Sequence, residues 1–196
     1  MRAITTRLSS HEIKDHISWP LLRHGQCDRA IELVRPLAEA HPGWGGYYLL
    51  LSIAYAQKGM QTASVQELEK FVRSCGLPET ATRIDRAFAN SGWKSALLQW
   101  AKELERLMTT KQAYYPDILA QVYVQLGDKD QAFYWLEQGN EHRHLAIADP
   151  VLQFVKIDPS FAPLHSDPRF TVLLRHMGLP TASASHTPRR LRTKLR

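Results

Sequence analysis

Reactive side chains are thinly spread along these 196 residues. His142 and His144 flank Arg143. Two imidazoles make half of a tetrahedral metal set, which needs further ligands at the same point. No cysteine and no clear acidic partner stands near them in sequence, so exposed histidines at a helix end are expected. Cys27 and Cys75 are expected to be free, reduced thiols. Cys75 precedes Gly76 at an expected helix C-terminus, where the helix dipole disfavours a thiolate. The run Gly43-Trp44-Gly45-Gly46 suggests a phosphate loop at first sight. It follows a helix rather than a strand and lacks the Lys-Ser/Thr that such loops carry, so an inter-helix turn is expected. Arg83 and Arg86, three apart, share one helical face, and paired guanidiniums there would suit an anion. His-Glu-x-x-His, Cys-x-x-Cys and the nucleophile elbow are all missing. No catalytic residue, cofactor or metal is expected.

The elements that would position any site are set by four glycines: Gly25, Gly59, Gly92 and Gly127, with gaps of 34, 33 and 35 residues. Each is read as the turn between two antiparallel helices. Four residues before the turn stand Leu21, Tyr55, Phe88 and Tyr123; eight before it stand Ile17, Leu51, Ile84 and Leu119. Residues four apart stack on one helix face. Five after the turn the second helix needs a small residue for close crossing. Ala30, Ser64 and Ala132 supply it, whereas Leu97 does not and leaves the third copy one residue out of register. Val34, Leu68, Ala101 and Leu136 follow at nine, completing a stripe. Pro20 and Pro36 fall inside expected helices of the first copy and predict a kinked or partly unwound pair. From Trp93 to Met108, Leu97, Trp100, Ala101 and Leu104 are expected inside, and Lys102, Glu103, Glu105 and Arg106 in water.

A glycine period of about 34 residues with these core positions resembles the tetratricopeptide repeat family. The match spans roughly residues 10 to 143, best around Tyr48, Leu51, Tyr55, Gly59, Ser64 and Leu68. It implies an all-α, right-handed superhelix of about four helical hairpins. The chain then leaves the rhythm. Asp158-Pro159 and Asp167-Pro168 start short helices, and Phe170, Leu173, Leu174 and Met177 form an apolar stripe ended by Gly178 and Pro180. This stripe suits a capping helix at the solenoid's end. The runs Gly127 to Phe133, Lys156-Ile157-Asp158-Pro159 and Ser166-Asp167-Pro168-Arg169-Phe170 resemble the closing segment of bacterial multidomain tetratricopeptide regulators. Those carry a kinase or a winged-helix domain ahead of the repeats.

What the resemblance implies is binding rather than catalysis. Carried over residue by residue, the family's groove positions are Asp15, His16 and Trp19 in the first copy and Leu49, Leu50, Ile53 and Gln57 in the second. Arg83, Arg86 and Asn90 follow in the third, and Asp117, Gln121 and Gln125 in the fourth. Leu49, Leu50 and Ile53 either floor the groove or merely pack on adjacent helices. Chaperone-binding members clamp a peptide carboxylate with lysine and asparagine; Asp15 and Trp19 stand here instead, which argues against that ligand. The expected role is a cytoplasmic, non-catalytic scaffold for a peptide or partner domain. The alternative is a regulatory region detached from a bacterial kinase or transcription regulator.

Composition is ordinary, with 44% hydrophobic residues. The longest apolar run, Tyr47 to Ala56, is too short to cross a bilayer. The net charge of +6 falls to +1 once Arg189, Arg190, Arg192, Lys194 and Arg196 are set aside, because residues 181–196 hold no acid. Specific nucleic-acid binding by the folded body is therefore not expected. The domain reading is a flexible start (1–9), a solenoid (10–180) with its cap in 144–180, and a disordered basic tail (181–196).

Overall fold

A computed structural model describes residues 18–110, 115–142 and 154–181. The expected flexible start, the groove positions Asp15 and His16, the beginning of the cap and almost all of the basic tail lie outside the described residues. Of the described residues 80% are helical and none is in a strand, so the chain is all-α.

Helix α1 covers residues 18–23, followed by α2 (Cys27–Ala40), α3 (Gly45–Gln57), α4 (Gln61–Ser74), α5 (Pro78–Thr109), α6 (Pro116–Leu126) and α7 (Lys129–Glu141). A 3-10 helix (Pro159–Leu164) and α8 (Pro168–His176) close the described chain. The four rhythmic glycines all stand at left-handed φ: 70° at Gly25, 72° at Gly59, 75° at Gly92 and 88° at Gly127. At three of them the helix closes alike. The Gly59 N–H donates to the Ala56 carbonyl at 2.9 Å and the Met60 N–H to the Tyr55 carbonyl at 2.9 Å, with equivalents at Gly25 and Gly127. This paired closure satisfies carbonyls that the ended helix leaves over. Gly92 makes the reversal without a loop. Its ψ of −167° breaks α5 into 78–91 and 93–109.

The stripe expected from sequence is the buried one. Ala30, Ser64, Leu97 and Ala132 are all buried, as are Val34, Leu68, Ala101 and Leu136. In the third copy Ala96, one residue early, is fully buried and provides the close crossing that Leu97 cannot. The unwinding expected at Pro36 does not form, whereas the chain ahead of residue 18, on which the expectation at Pro20 bears, lies outside the described residues. α2 runs unbroken through Pro36. Pro36 and Glu32 are both exposed, so the carbonyl that loses its partner faces water, while Val34, Leu37 and Ala38 hold the helix from inside. Gly45 opens α3 as an inter-helix turn should. A Cβ there would stand 2.2 Å from the Ser74 hydroxyl, so a larger residue would have to turn Ser74 away for α3 to begin against the end of α4.

Packing follows chain order. α2 packs on α3, α3 on α4, α4 on α5, α5 on α6 and α6 on α7. Three apolar clusters result: one over α1–α3, one from α4 to α6, and one joining α6 and α7 to the C-terminal residues. α8 lies on α7, clipped by Arg169, which pairs with Asp167 at 2.9 Å and Asp130 at 2.6 Å above the Phe133 ring. Asp167 caps α8 through the Arg169 N–H, with Pro168 next, as the sequence suggests. Those bonds from Arg169 hold the Asp167 carboxyl down at about 2. No helix of the described residues is long and apolar enough to cross a membrane.

Gly59 isolates the conformational demand, because nothing lies within 4 Å of where its Cβ would be. Gly59→Ala should lower the unfolding free energy by about 1 kcal/mol from left-handed strain alone. Urea titration checks it; an unchanged midpoint would show that the turn does not need this backbone.

Candidate partner-binding groove

A half-open cleft lies where α3, α4, the second part of α5 and α6 meet. Leu49, Ser52, Ile53 and Ala56 of α3 form one wall, with Ser64 and Leu68 of α4 beside them. Trp93, Leu97 and Trp100 of α5 form the floor, and Ile118, Gln121, Val122 and Gln125 of α6 the far wall. The lining is chiefly apolar, with two amides on one side. Ser64 Oγ donates to the Ser52 carbonyl at 2.8 Å, which satisfies the polar atoms where α3 and α4 cross. The cavity volume is about 30 Å³. That is room for roughly two waters or one small side chain, far below the ~300–1,000 Å³ of a typical small-molecule pocket.

Of the residues expected to line a groove, the structure brings together Leu49, Ile53, Gln121 and Gln125. Leu50 is buried in the cluster over α1–α3 and lines nothing. Trp19 is half-buried, 5.7 Å from the Arg23 guanidinium. Gln57 accepts from the Cys27 thiol at 3.0 Å and donates to Ser160 Oγ at 2.9 Å. Asp117 is half-buried in the first turn of α6. Arg83, Arg86 and Asn90 are exposed on the first part of α5 and stand apart from the cleft.

Two sequence expectations about charge change here. Glu103, placed in water by the helical pattern, is only 4% exposed. It receives Thr80 Oγ1 and Arg83 Nη2, each at 3.1 Å, and a fork from Arg106 at 2.6 and 2.9 Å. The cause is the reversal at Gly92, which lays residues 78–91 back along 93–109. A helical pattern read over 93–108 alone has no view of that returning partner. Burial by itself would raise the Glu103 pKa; the bonds from Arg106 and Thr80 and the two positive charges outweigh it and leave the carboxyl below its ordinary value. Arg83 is therefore already engaged, also reaching Thr80 at 2.7 Å, and is no open half of an anion site with Arg86.

A second polar group escapes a sequence reading altogether. Asp158 and Arg23 are 4% and 3% exposed although 135 positions separate them. Asp158 Oδ1 accepts from the Ser160 N–H at 2.8 Å, and burial raises its pKa against the pull of Arg23. The only trace in sequence is the Asp-Pro pair, which reads as a helix start and is one. Among the described residues no group of three His, Cys, Asp or Glu could hold a metal. His142 turns its Nδ1 to the Gln138 carbonyl at 3.1 Å, and His144 lies outside the described residues. No protein-family model, curated protein or solved structure matches the chain.

Glu103→Ala should cost about 2 kcal/mol at neutral pH, reduced from the usual buried-pair value because both arginines are half exposed. The Glu103 pKa is lowered on folding, so its contribution is present above the ordinary value of 4.5 and fades as pH falls through the folded value. Denaturant midpoints of both chains should therefore converge on acidification. A gap that is constant with pH would assign the loss to packing instead.

Proposed function

We propose that the chain is a tetratricopeptide-like, right-handed superhelix of about four helical hairpins with a C-terminal capping helix. It acts as a non-catalytic scaffold that holds a peptide or partner domain on its concave face. The observation that carries this reading is the recurrence of left-handed glycines at the tetratricopeptide spacing, each with a helix on either side. Helices that pack mainly on their neighbours in sequence support it too, because that is how solenoids bury their cores. In such an array the first helix of every hairpin faces the groove; the cleft takes two of these, α3 and α6, together with α4 and the second part of α5.

The ligand chemistry follows from the lining. Leu49, Ile53 and the floor tryptophans suit one apolar side chain, and Gln121 and Gln125 suit the peptide amide beside it. The exposed guanidinium of Arg86 adds a preference for acid further along. The test is a displayed random-peptide library selected on the full chain. Selected peptides should carry an apolar anchor. They should lose at least roughly tenfold in affinity, about 1.4 kcal/mol, on the combined Ile53→Ala and Gln125→Ala chain with its helicity intact. Peptides that bind both chains equally would place the interface elsewhere, and a library yielding no binder would remove the scaffold reading.

A further inference from the structure

Gln121 stands apart from the other polar groups around the cleft. It is 6% exposed and lines the cleft from α6. Buried Ser64 and Glu103 have their partners in the Ser52 carbonyl and in Thr80 with two arginines. The Gln121 side-chain amide has none among the described residues. A buried amide without a partner is costly, and native chains keep few of them. Gln125, one turn further on, lines the same wall with a half-buried amide that also has no partner among the described residues. Four residues along a helix advance about 6 Å. Two amides are therefore offered in a row, beside the apolar floor of Trp93, Leu97 and Trp100.

We propose that Gln121 and Gln125 hold a peptide in extended conformation, by bonding the main chain of two of its residues that are two apart in sequence. This rests on the scaffold reading above and deepens it, choosing an extended segment over a folded partner domain. A primary amide donates and accepts at once. So do the N–H and C=O of a single residue, but a helix uses both of them internally. A strand shows both to the same side and shows them again two residues on, at about 6.6–6.8 Å. The step from Gln121 to Gln125 matches that repeat within the reach of two glutamine side chains. A helical partner would leave Gln121 unbonded. Side chains at the two bonded positions point to one face of the strand, and the cavity of about 30 Å³ admits only a small one. The ligand class is a strand-like segment with alanine or valine at a bonded position. Proline is excluded at both, because it has no N–H to give.

The probe is the tightest library-selected peptide, labelled for anisotropy and remade with each main-chain N–H replaced in turn by an ester oxygen. On the natural full chain, two positions that are two residues apart should each lose about fivefold in affinity. Gln121→Met keeps the shape of the side chain without its amide, and one of those losses should vanish on that chain. The other should vanish on Gln125→Met. Should Gln121→Met lose helicity, the natural chain still decides. The side-chain amide resonances of Gln121 should then shift with the unaltered peptide and shift less with the ester at the paired position. Losses at no position, losses at adjacent positions, or losses that neither substitution removes overturn the proposal, as does a selected peptide that is helical when bound. If selected peptides still bind the groove in that case, the scaffold reading stands and only the extended ligand falls; a library with no binder removes both.

Discussion

Everything in this fold depends on reversals that an L-residue adopts only under strain. A helix pair of this length exposes one apolar stripe on each member and cannot cover both alone. The chain therefore has to turn back at fixed intervals and stack each new pair on the last. Gly25, Gly59, Gly92 and Gly127 make those turns with left-handed backbones. Because the turns recur at nearly constant spacing, the small residue that allows close crossing recurs as well. Ala30, Ser64, Ala96 and Ala132 are buried at the successive crossings. Three apolar clusters then follow one another along the chain, sharing α6 as the hinge between the second and third.

The same reversals decide where charge can be hidden. Glu103 is tolerated inside because the turn at Gly92 brings Thr80 and Arg83 over it, while Arg106 reaches it from one turn further along its own helix. Its position links the two halves of α5, so an acid that resembles surface solvation in sequence acts as a bolt. Asp158 behaves likewise at the opposite end, beside buried Arg23. Both acids face partners more than a dozen residues away in sequence, and both join segments that chain connectivity alone leaves free to separate.

How much of this was legible beforehand follows the range of each interaction. Helix boundaries, glycine turns, the Asp167-Pro168 cap and the buried stripe depend on neighbours within a few residues, and a period written four times makes them visible. Leu49, Ile53, Gln121 and Gln125, which the tetratricopeptide resemblance implies for one surface, do line one cleft. Leu50 went to the core and Arg83 to Glu103 for reasons the repeat does not encode. Pro36 misled because its cost depends on whether the freed carbonyl meets water, and it does. The return of residues 154–164 to α1 and α3 had no local signal, since Gln57 and Ser160 are 103 positions apart.

The central claim is that the chain is a serial helical array whose C-terminal segment, residues 154–164, returns to α1 and α3 as well as packing on α6. The most direct measurement is a nuclear Overhauser spectrum of the natural full chain with side chains assigned. The account predicts cross-peaks between the Phe154 ring protons and the Arg23 side chain, and between the Gln57 amide protons and the Ser160 methylene, alongside those joining α6 to Phe161 and Leu164. Contacts from α6 to Phe161 and Leu164 with none from Phe154 to Arg23 or from Ser160 to Gln57 would contradict it, leaving the segment as an end cap and nothing more.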